Sequence, residues 1–349
     1  MRLEAKPTPS LATSLAYPLG AVAVTLVLVS LLVIAAGASP FSVFHLVLVG
    51  AAGTQFAALE TLTRATPLIF TGLAVAVAFR AKLWNIGAEA QLYVGAVVTV
   101  VLGTGALPLP APLLIPILIV AAMIGGGLML LGPAFLKVRL GVDEVVTTLL
   151  LNFVVLLFVS MLLEGVLRDP MALGWPRSAS LVAEARLPRV VTGLRLHYGF
   201  VLAVVAAVAV WFVMKKTTLG YEMRAVGHNA EAARFAGIPV NRVLLKTAMI
   251  SGGLAALAGF SEVAGTARNL TLELSPGFGY TGIVVAMLAM LNPLGVVAAA
   301  IFVAGIFVGA DAMSRTAGVP SYIANVMVAT ALLTMVTAIM LSRFRIRWN

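Results

Sequence analysis

Long apolar runs separated by short polar and basic segments make up most of this chain. The runs are continuous rather than alternating, which predicts α-helices and not the strands of a membrane barrel. Because a membrane helix needs about 20 residues, the pattern predicts an all-α polytopic membrane protein with about ten transmembrane helices in one domain, residues 1–349. The predicted spans are 18–36, 67–79, 91–103, 113–131, 145–163, 199–214, 243–263, 280–291, 295–310 and 322–341.

The composition agrees with this pattern. Hydrophobic residues make up 61% of the chain and charged residues 10%, with a mean hydropathy of +1.09. Soluble domains are about 45–50% apolar and about 25% charged, so a soluble fold is excluded, and so is a disordered chain. Cysteine is absent and the three histidines are scattered, which argues against a metal site and against thiol chemistry.

The positions of the basic residues predict the orientation. Fifteen of the 23 Lys and Arg fall in short segments that ten spans place on one side, against three on the other side. Five more lie in the long segment 166–198, which counts less because long loops are translocated regardless of charge. We therefore expect cytoplasmic N- and C-termini and an external loop at 166–198. The net charge of +10 forms no stripe interleaved with aromatics, so a nucleic-acid partner is not expected.

Residues 41–59 are apolar enough for a further span. If they crossed the membrane, every later loop would change sides and the basic segments would face outward. The charge distribution therefore favours an external interfacial or re-entrant segment at 40–60.

Two predicted spans are short and end at polar interruptions, at 79–89 and at 292–295. An interrupted helix inside a membrane is buried in protein or lines an aqueous cavity, and such breaks mark the path in transporters. The alternative is an ordinary turn between antiparallel helices. Asn292 followed by Pro293 favours the turn, whereas at Asn85–Glu89 both interpretations stay open.

Five residues are candidates for the translocation path. A carboxylate near membrane depth is a functional candidate, but Glu89 could instead pair with Arg80 or Lys82 at the headgroup level. Asn152 could equally bond neighbouring helices, and Trp84 could anchor the membrane interface. The candidates are Trp84, Asn85, Glu89, Gln91 and Asn152.

The segment 215–242 is the most basic of the predicted cytoplasmic loops. Asn229 is a helix N-cap residue type, and the helix-forming run 230–236 ends at Gly237, a common C-cap. A few residues would suffice to join two spans, so a short helix of about two turns here suggests a docking surface for a cytoplasmic partner. A solvated loop is the alternative.

Within this segment, Glu231-Ala232-Ala233-x-x-x-Gly237 is similar to the coupling motif of bacterial ABC importer permeases. Residues 79–91, 141–152 and 279–289 further resemble the branched-chain amino acid, ribose and nucleoside class, most closely its nucleoside branch. The resemblance covers about residues 40–340. The Ile-x-Leu-Pro continuation of the longer coupling motif is absent, which fits this class better than the maltose-type class.

The resemblance implies a type II-like permease subunit in a bacterial inner membrane. Its partners would be a cytoplasmic ABC ATPase carrying ATP and Mg, a second permease that is a homologue, and an external solute-binding lipoprotein, with membrane lipid around it. The expected coupling residues are Arg224, Gly227, Asn229, Glu231, Ala232, Ala233 and Gly237.

No catalytic residues and no cofactor of its own are expected for this chain, because no Gly-x-x-x-x-Gly-Lys-Ser/Thr loop occurs. The expected function is nucleoside import driven by partner ATP hydrolysis. Import of sugars or branched-chain amino acids is the alternative within the class. An ion-coupled secondary transporter is the alternative from another class, but the acidic residues lie near span ends rather than in span centres.

Overall fold

The computed structural model of the chain describes residues 2–5, 11–35 and 37–317, together with 322, 326, 329–330, 333–334, 337–338 and 344–347. This part contains twelve helices and two short strands. The helices are α1 (Leu11–Ala35), α2 (Pro40–Ala52), α3 (Gln55–Arg80), α4 (Ala88–Gly103), α5 (Ala111–Leu140), α6 (Glu144–Glu164), α7 (Gly199–Lys216), α8 (Thr218–His228), α9 (Ala230–Phe235), α10 (Val240–Ser261), α11 (Phe278–Leu288) and α12 (Pro293–Ala317). Strands β1 (Arg2–Ala5) and β2 (Phe344–Arg347) pair antiparallel, so the two ends of the chain lie side by side.

The predicted multi-span helical architecture is confirmed, but the number ten stays a prediction. In the described residues six helices are long and apolar enough to cross a membrane, namely α3, α5, α6, α7, α10 with its π-helical extension Glu262–Ala267, and α12. Residues 23–35 of α1 and α2, bent by 111° to each other, could form a seventh span. Helices α4 and α11 are apolar but shorter. The predicted last span, 322–341, lies largely outside the described residues.

The prediction of a short span at 67–79 is wrong. Helix α3 starts at Gln55 and runs 26 residues, through Pro67, to Arg80. Its first half contains Thr61, Thr63 and Thr66, which lowered the local hydropathy, yet all three are buried in the protein. Of the most apolar 18-residue window of α3, 89% is buried. A span shielded from lipid by other helices need not be hydrophobic throughout.

The segment 40–60 is split between two helices. Helix α2 ends at Ala52, and residues from Gln55 onward belong to α3. A Cβ on Gly309 would lie 2.2 Å from the carbonyl oxygen of Val47, so α2 packs directly on the backbone of α12. The bend after α1 is compatible with a re-entrant segment, and its place outside the membrane stays a prediction.

The chain consists of two compact units, Met1–Thr61 with Phe302–Asn349, and Leu62–Ile301. The second unit is built around α4, α5 and α10, which touch through small residues. A Cβ on Gly126 would lie 2.4 Å from the carbonyl oxygen of Gly252, and one on Gly259 would lie 1.9 Å from that of Leu92. Glycine at these positions lets the helix backbones approach this closely.

The predicted external loop, residues 166–198, is folded against the end of α10. The N–H of Leu187 donates to the carbonyl oxygen of Ala264 at 2.9 Å, and the N–H of Leu181 donates to that of Arg268 at 2.8 Å. At the end of the loop His197 is fully buried, and a Cβ on Gly265 would lie 2.4 Å from its ring. The loop is thereby fixed to the helix bundle.

Candidate functional site

The connection between α3 and α4, residues 81–87, is held by a reciprocal pair of amides. The Asn85 side-chain nitrogen donates to Gln91 Oε1, and Gln91 Nε2 donates back to Asn85 Oδ1, both at 2.9 Å. Asn85 also donates to Ser251 Oγ on α10 at 3.0 Å, and its Oδ1 accepts the N–H of Gly87 at 3.0 Å. Every hydrogen-bonding group of the Asn85 amide is therefore used inside the protein.

Asn152 fixes the same connection from α6. Its Oδ1 accepts the N–H of Ala90 at 2.9 Å, and its nitrogen donates to the carbonyl oxygen of Ile86 and to the Tyr280 hydroxyl, both at 3.0 Å. The side chain is completely buried. Of the two interpretations left open for Asn152, the contact between helices is the one that the structure contains.

Glu89 does not form the ion pair with Arg80 or Lys82 considered from sequence. Its Oε2 accepts the N–H of Gly279 at 2.6 Å, in the first turn of α11, and Ser275 also hydrogen-bonds to it. A Cβ on Gly279 would lie 2.2 Å from the Glu89 backbone nitrogen, so only glycine permits this approach. The positive end of the α11 dipole, together with these donors, replaces the expected cation.

Trp84 stands apart from this cluster. It is 43% exposed, and its ring meets the Phe79 ring edge-on at a centroid distance of 4.7 Å. The backbone N–H of Trp84 donates to Glu144 Oε1 at 3.1 Å, and Glu144 also forms an ion pair with Lys137. The structure thus brings together four of the five predicted path residues in one buried hydrogen-bond network and leaves Trp84 at the surface.

The predicted coupling segment contains two helices rather than one. The short predicted helix is α9, and Asn229 caps it by accepting the N–H groups of Glu231 and Ala232, each at 3.0 Å. At its end Gly237 has φ +82°, and the N–H of Ile238 donates to the carbonyl oxygen of Ala233 at 3.0 Å. Both caps were predicted and are confirmed. Helix α8 was missed, because its amphipathic sequence is interrupted by Gly220 and Gly227.

The two alanines of the motif differ in burial. Ala233 is only 5% exposed, whereas Ala232 is exposed together with Glu231. Phe235, which the sequence analysis did not single out, is 97% exposed at the end of α9. The Phe235 ring is therefore open to solvent on a helix whose other exposed side chains are small or charged. We call Glu231, Ala232 and Phe235 the α9 face.

Helix α8 connects the α9 face to the α3–α4 connection. A Cβ on Gly227 would lie 2.0 Å from the carbonyl oxygen of Arg80, the last residue of α3. On the same helix, Arg224 donates to the carbonyl oxygen of Met214 near the end of α7. Arg224 and Gly227, both expected to couple to a partner, therefore contact the membrane helices instead of forming part of the α9 face.

Comparisons with known proteins point in one direction. Residues 57–341 match the family described as branched-chain amino acid transport system, permease component. The chain is 36% identical to the guanosine ABC transporter permease protein NupP of Bacillus subtilis over 91% of this chain and 92% of that protein. It is 34% identical to the glucose ABC transporter permease protein TsgB13 of Haloferax volcanii, over 99% and 94%. The nucleoside ABC transporter permease protein NupB of Lactococcus lactis is 29% identical, over 89% and 88%.

Proposed function

The chain belongs to the family of permease components of branched-chain amino acid transport systems, which are non-catalytic membrane subunits of ABC transporters. Within that family, we propose that it imports nucleosides or related ribose-containing solutes. Two of its relatives are named for guanosine and nucleoside transport. The name of the Haloferax relative supports a sugar as the second candidate solute.

The observation that supports import driven by a partner ATPase is the α9 face. An exposed aromatic side chain beside a small alanine is the arrangement expected of a helix that inserts into a groove of another protein. In the proposed complex the partner is a cytoplasmic ABC ATPase, which binds the ATP and Mg. The basic segments around α8 and α9 support a cytoplasmic position for this face.

The proposed coupling follows the contacts from α9 inward. Movement of the ATPase displaces α9 and α8, and the close contact of Gly227 with Arg80 passes that displacement to the end of α3. Because Asn85 donates to Ser251 on α10 and Glu89 accepts the N–H of Gly279 on α11, the α3–α4 connection moves as a rigid piece together with these two helices. This rigid movement would open the path to one side of the membrane and close it to the other.

The remaining parts of the proposal follow from the family. A second permease that is a homologue would complete the path, and an external solute-binding lipoprotein would deliver the solute. The location would be the bacterial inner membrane, with cytoplasmic N- and C-termini and ten spans. The pairing of β1 with β2 supports termini on one side, since an even number of spans requires it.

The test is uptake by the complete transporter in proteoliposomes that contain ATP. We expect Phe235→Ala to lower both guanosine uptake and solute-stimulated ATP hydrolysis by on the order of tenfold, as loss of a central aromatic anchor does. Phe212→Ala is the matched control, because Phe212 is also exposed but lies on the membrane-spanning helix α7 and not on the α9 face. Ala233 is a poorer choice for substitution, since its burial means that a large residue would disturb the loop itself.

Three outcomes would contradict the proposal. Equal losses in both variants would remove the α9 face as the docking surface. Uptake of glucose but not of guanosine would favour the sugar candidate. Uptake that continues without ATP and stops when the proton gradient is collapsed would identify an ion-coupled secondary transporter.

A further inference from the structure

A cavity of about 720 Å³ opens where α3, α7 and α8 approach the turn between α11 and α12. Its walls carry three cationic side chains, Arg80, Lys215 and Arg224, and its lining contains no carboxylate. The rest of the lining is mostly apolar, with Met290 and Ala299 as examples. A site of this composition attracts an anion that also carries an apolar part.

The three cations are held in place without being neutralised. Arg80 Nη2 donates to the carbonyl oxygen of Leu291 at 3.5 Å, and the Lys215 ammonium lies 5.8 Å from the centre of the Trp211 ring. Arg224 is held by the carbonyl oxygen of Met214. The ion pairs found among the described residues, Lys137 with Glu144 and Arg177 with Asp169, include none of the three.

One hydrogen-bond donor at the cavity has no partner. Arg80 Nε is buried and is the one buried side-chain nitrogen or oxygen in the described part of the chain without a hydrogen bond. A buried unpaired donor costs about 1–3 kcal/mol, and one on a charged group costs more. An anion bound in the cavity, which Arg80 lines, would offset part of that cost by placing a negative charge beside the guanidinium.

The turn at the cavity adds two further features. Met290 and Leu291 have φ of +51° and +58°, a conformation that residues other than glycine rarely adopt. The turn then leads into the first turn of α12, where Pro293 and Gly295 line the cavity. The N-terminus of this 25-residue helix contributes positive potential and favours an anion, phosphate above all.

A second cavity adjoins the first and has the opposite character. It has a volume of about 320 Å³ and is lined almost entirely by apolar side chains of α3, α5, α7, α8 and α10. Met214 lines both cavities, so both reach the last turn of α7. A cationic chamber beside an apolar one matches a molecule with a phosphate head and a hydrocarbon chain.

We propose that the two cavities together bind one anionic phospholipid. Its phosphate contacts Arg80, Lys215 and Arg224 at the N-terminus of α12, and one acyl chain occupies the apolar cavity. Arginine and lysine are the residues that hold phosphate in proteins, and basic pockets between membrane helices take anionic headgroups. In the proposed orientation the cationic cavity lies on the cytoplasmic side, so this lipid would belong to the inner leaflet. The proposal that a lipid binds here does not depend on that orientation.

The test uses the delipidated transporter complex in detergent, titrated with short-chain phosphatidylglycerol and, in parallel, with phosphatidylcholine of the same chain length. We expect saturable binding of phosphatidylglycerol only, weakened about fivefold by Lys215→Gln, the effect of one basic residue at a headgroup. Lys216→Gln is the matched control, because Lys216 is the next residue, is exposed like Lys215 and does not line the cavity. Ala206→Phe, which fills part of the apolar cavity, should also weaken binding.

Inorganic phosphate and AMP, titrated in the same way, separate the possible sources of the anion. Saturable binding of either one, with none of phosphatidylglycerol, would overturn the lipid assignment in favour of a soluble phosphate ligand. Equal weakening by Lys215→Gln and Lys216→Gln would overturn the site itself, because binding would then reflect general surface charge. These readouts are independent of solute uptake and of docking through the α9 face.

Discussion

The two short connections of the Leu62–Ile301 unit, α3 to α4 and α11 to α12, differ in what surrounds their polar groups. In the first, the Asn85 side chain is buried and each of its hydrogen-bonding groups is satisfied. In the second, two consecutive residues have positive φ and a cationic cavity lies alongside. The first connection is rigid, whereas the second lies beside a cavity that has room for a ligand.

This difference is the opposite of what the sequence suggested about the two connections. The first connection had more polar residues and was the stronger candidate for a solute path, while the second had the features of an ordinary turn. A polar residue in a membrane segment is explained by its hydrogen-bond partners, and those partners lie far away along the chain. Sequence polarity alone therefore does not separate a path from a rigid joint.

The largest effect is expected from Asn85→Leu. The substitution keeps a similar volume but leaves the Gln91 amide, the Ser251 hydroxyl and the N–H of Gly87 without their partner. Several buried unpaired groups together should cost roughly 3–5 kcal/mol of stability. The measurement is the thermal unfolding midpoint and the yield of the assembled complex in detergent.

Asn292→Ala is the matched variant in the second connection. Asn292 is exposed, and its side chain accepts the N–H of Leu294 at 3.2 Å in a helix cap. Loss of such a cap costs about 1 kcal/mol. If the two substitutions lowered stability equally, the contrast between a rigid and an open connection would be wrong.

His197, in the loop 166–198, tests whether burial of a polar side chain also affects stability outside the membrane helices. Burial, and secondarily the charge of Arg195, lower the pKa of His197 to about 4 from its ordinary value of 6.5. The folded protein therefore binds this proton less readily than the unfolded chain does. Stability is complete above pH 6.5 and falls as the pH drops toward 4, by up to about 3 kcal/mol.

The measurement for His197 is the unfolding midpoint between pH 4 and pH 7.5, for the native protein and for His197→Phe. The variant loses the hydrogen bond from the N–H of Gly199 to His197 Nδ1 and is less stable at neutral pH. Its stability should nevertheless fall less steeply below pH 6.5. Parallel pH profiles would show that His197 is hydrated in the folded protein.

Much of the fold was predictable because it depends on local chemistry. Apolar length predicted membrane helices, and the residue types at Asn229 and Gly237 predicted both ends of α9. The Gly126 contact with α10 was predictable as well, because small residues let helix backbones approach. These features need only near neighbours or a general rule of helix packing.

What could not be predicted depends on residues distant in sequence. Asn85 meets Ser251 across 166 positions, and Glu89 meets Gly279 across 190. The difference in burial between Ala232 and Ala233 depends on how α9 packs against the rest of its segment. The exposure of Phe235 could be found only in the same way, since an aromatic residue in a helical run is ordinarily buried.

The smallest effect, and the one that decides between path and joint, is expected from Glu89→Gln. Glutamine keeps an oxygen that can accept the N–H of Gly279, so the bond to α11 is retained. Only the attraction between a carboxylate and the helix N-terminus is lost, which is worth about 0.3–1 kcal/mol. We expect guanosine uptake within about fivefold of the native rate, which is the largest change that such an energy produces. Glu89→Ala removes the acceptor and should lower stability by about 1–3 kcal/mol, since the buried N–H of Gly279 loses its partner. A strong loss of uptake in Glu89→Gln, with normal stability and normal assembly, would mean that the charge of Glu89 acts on the solute, and the α3–α4 connection would then be part of the path.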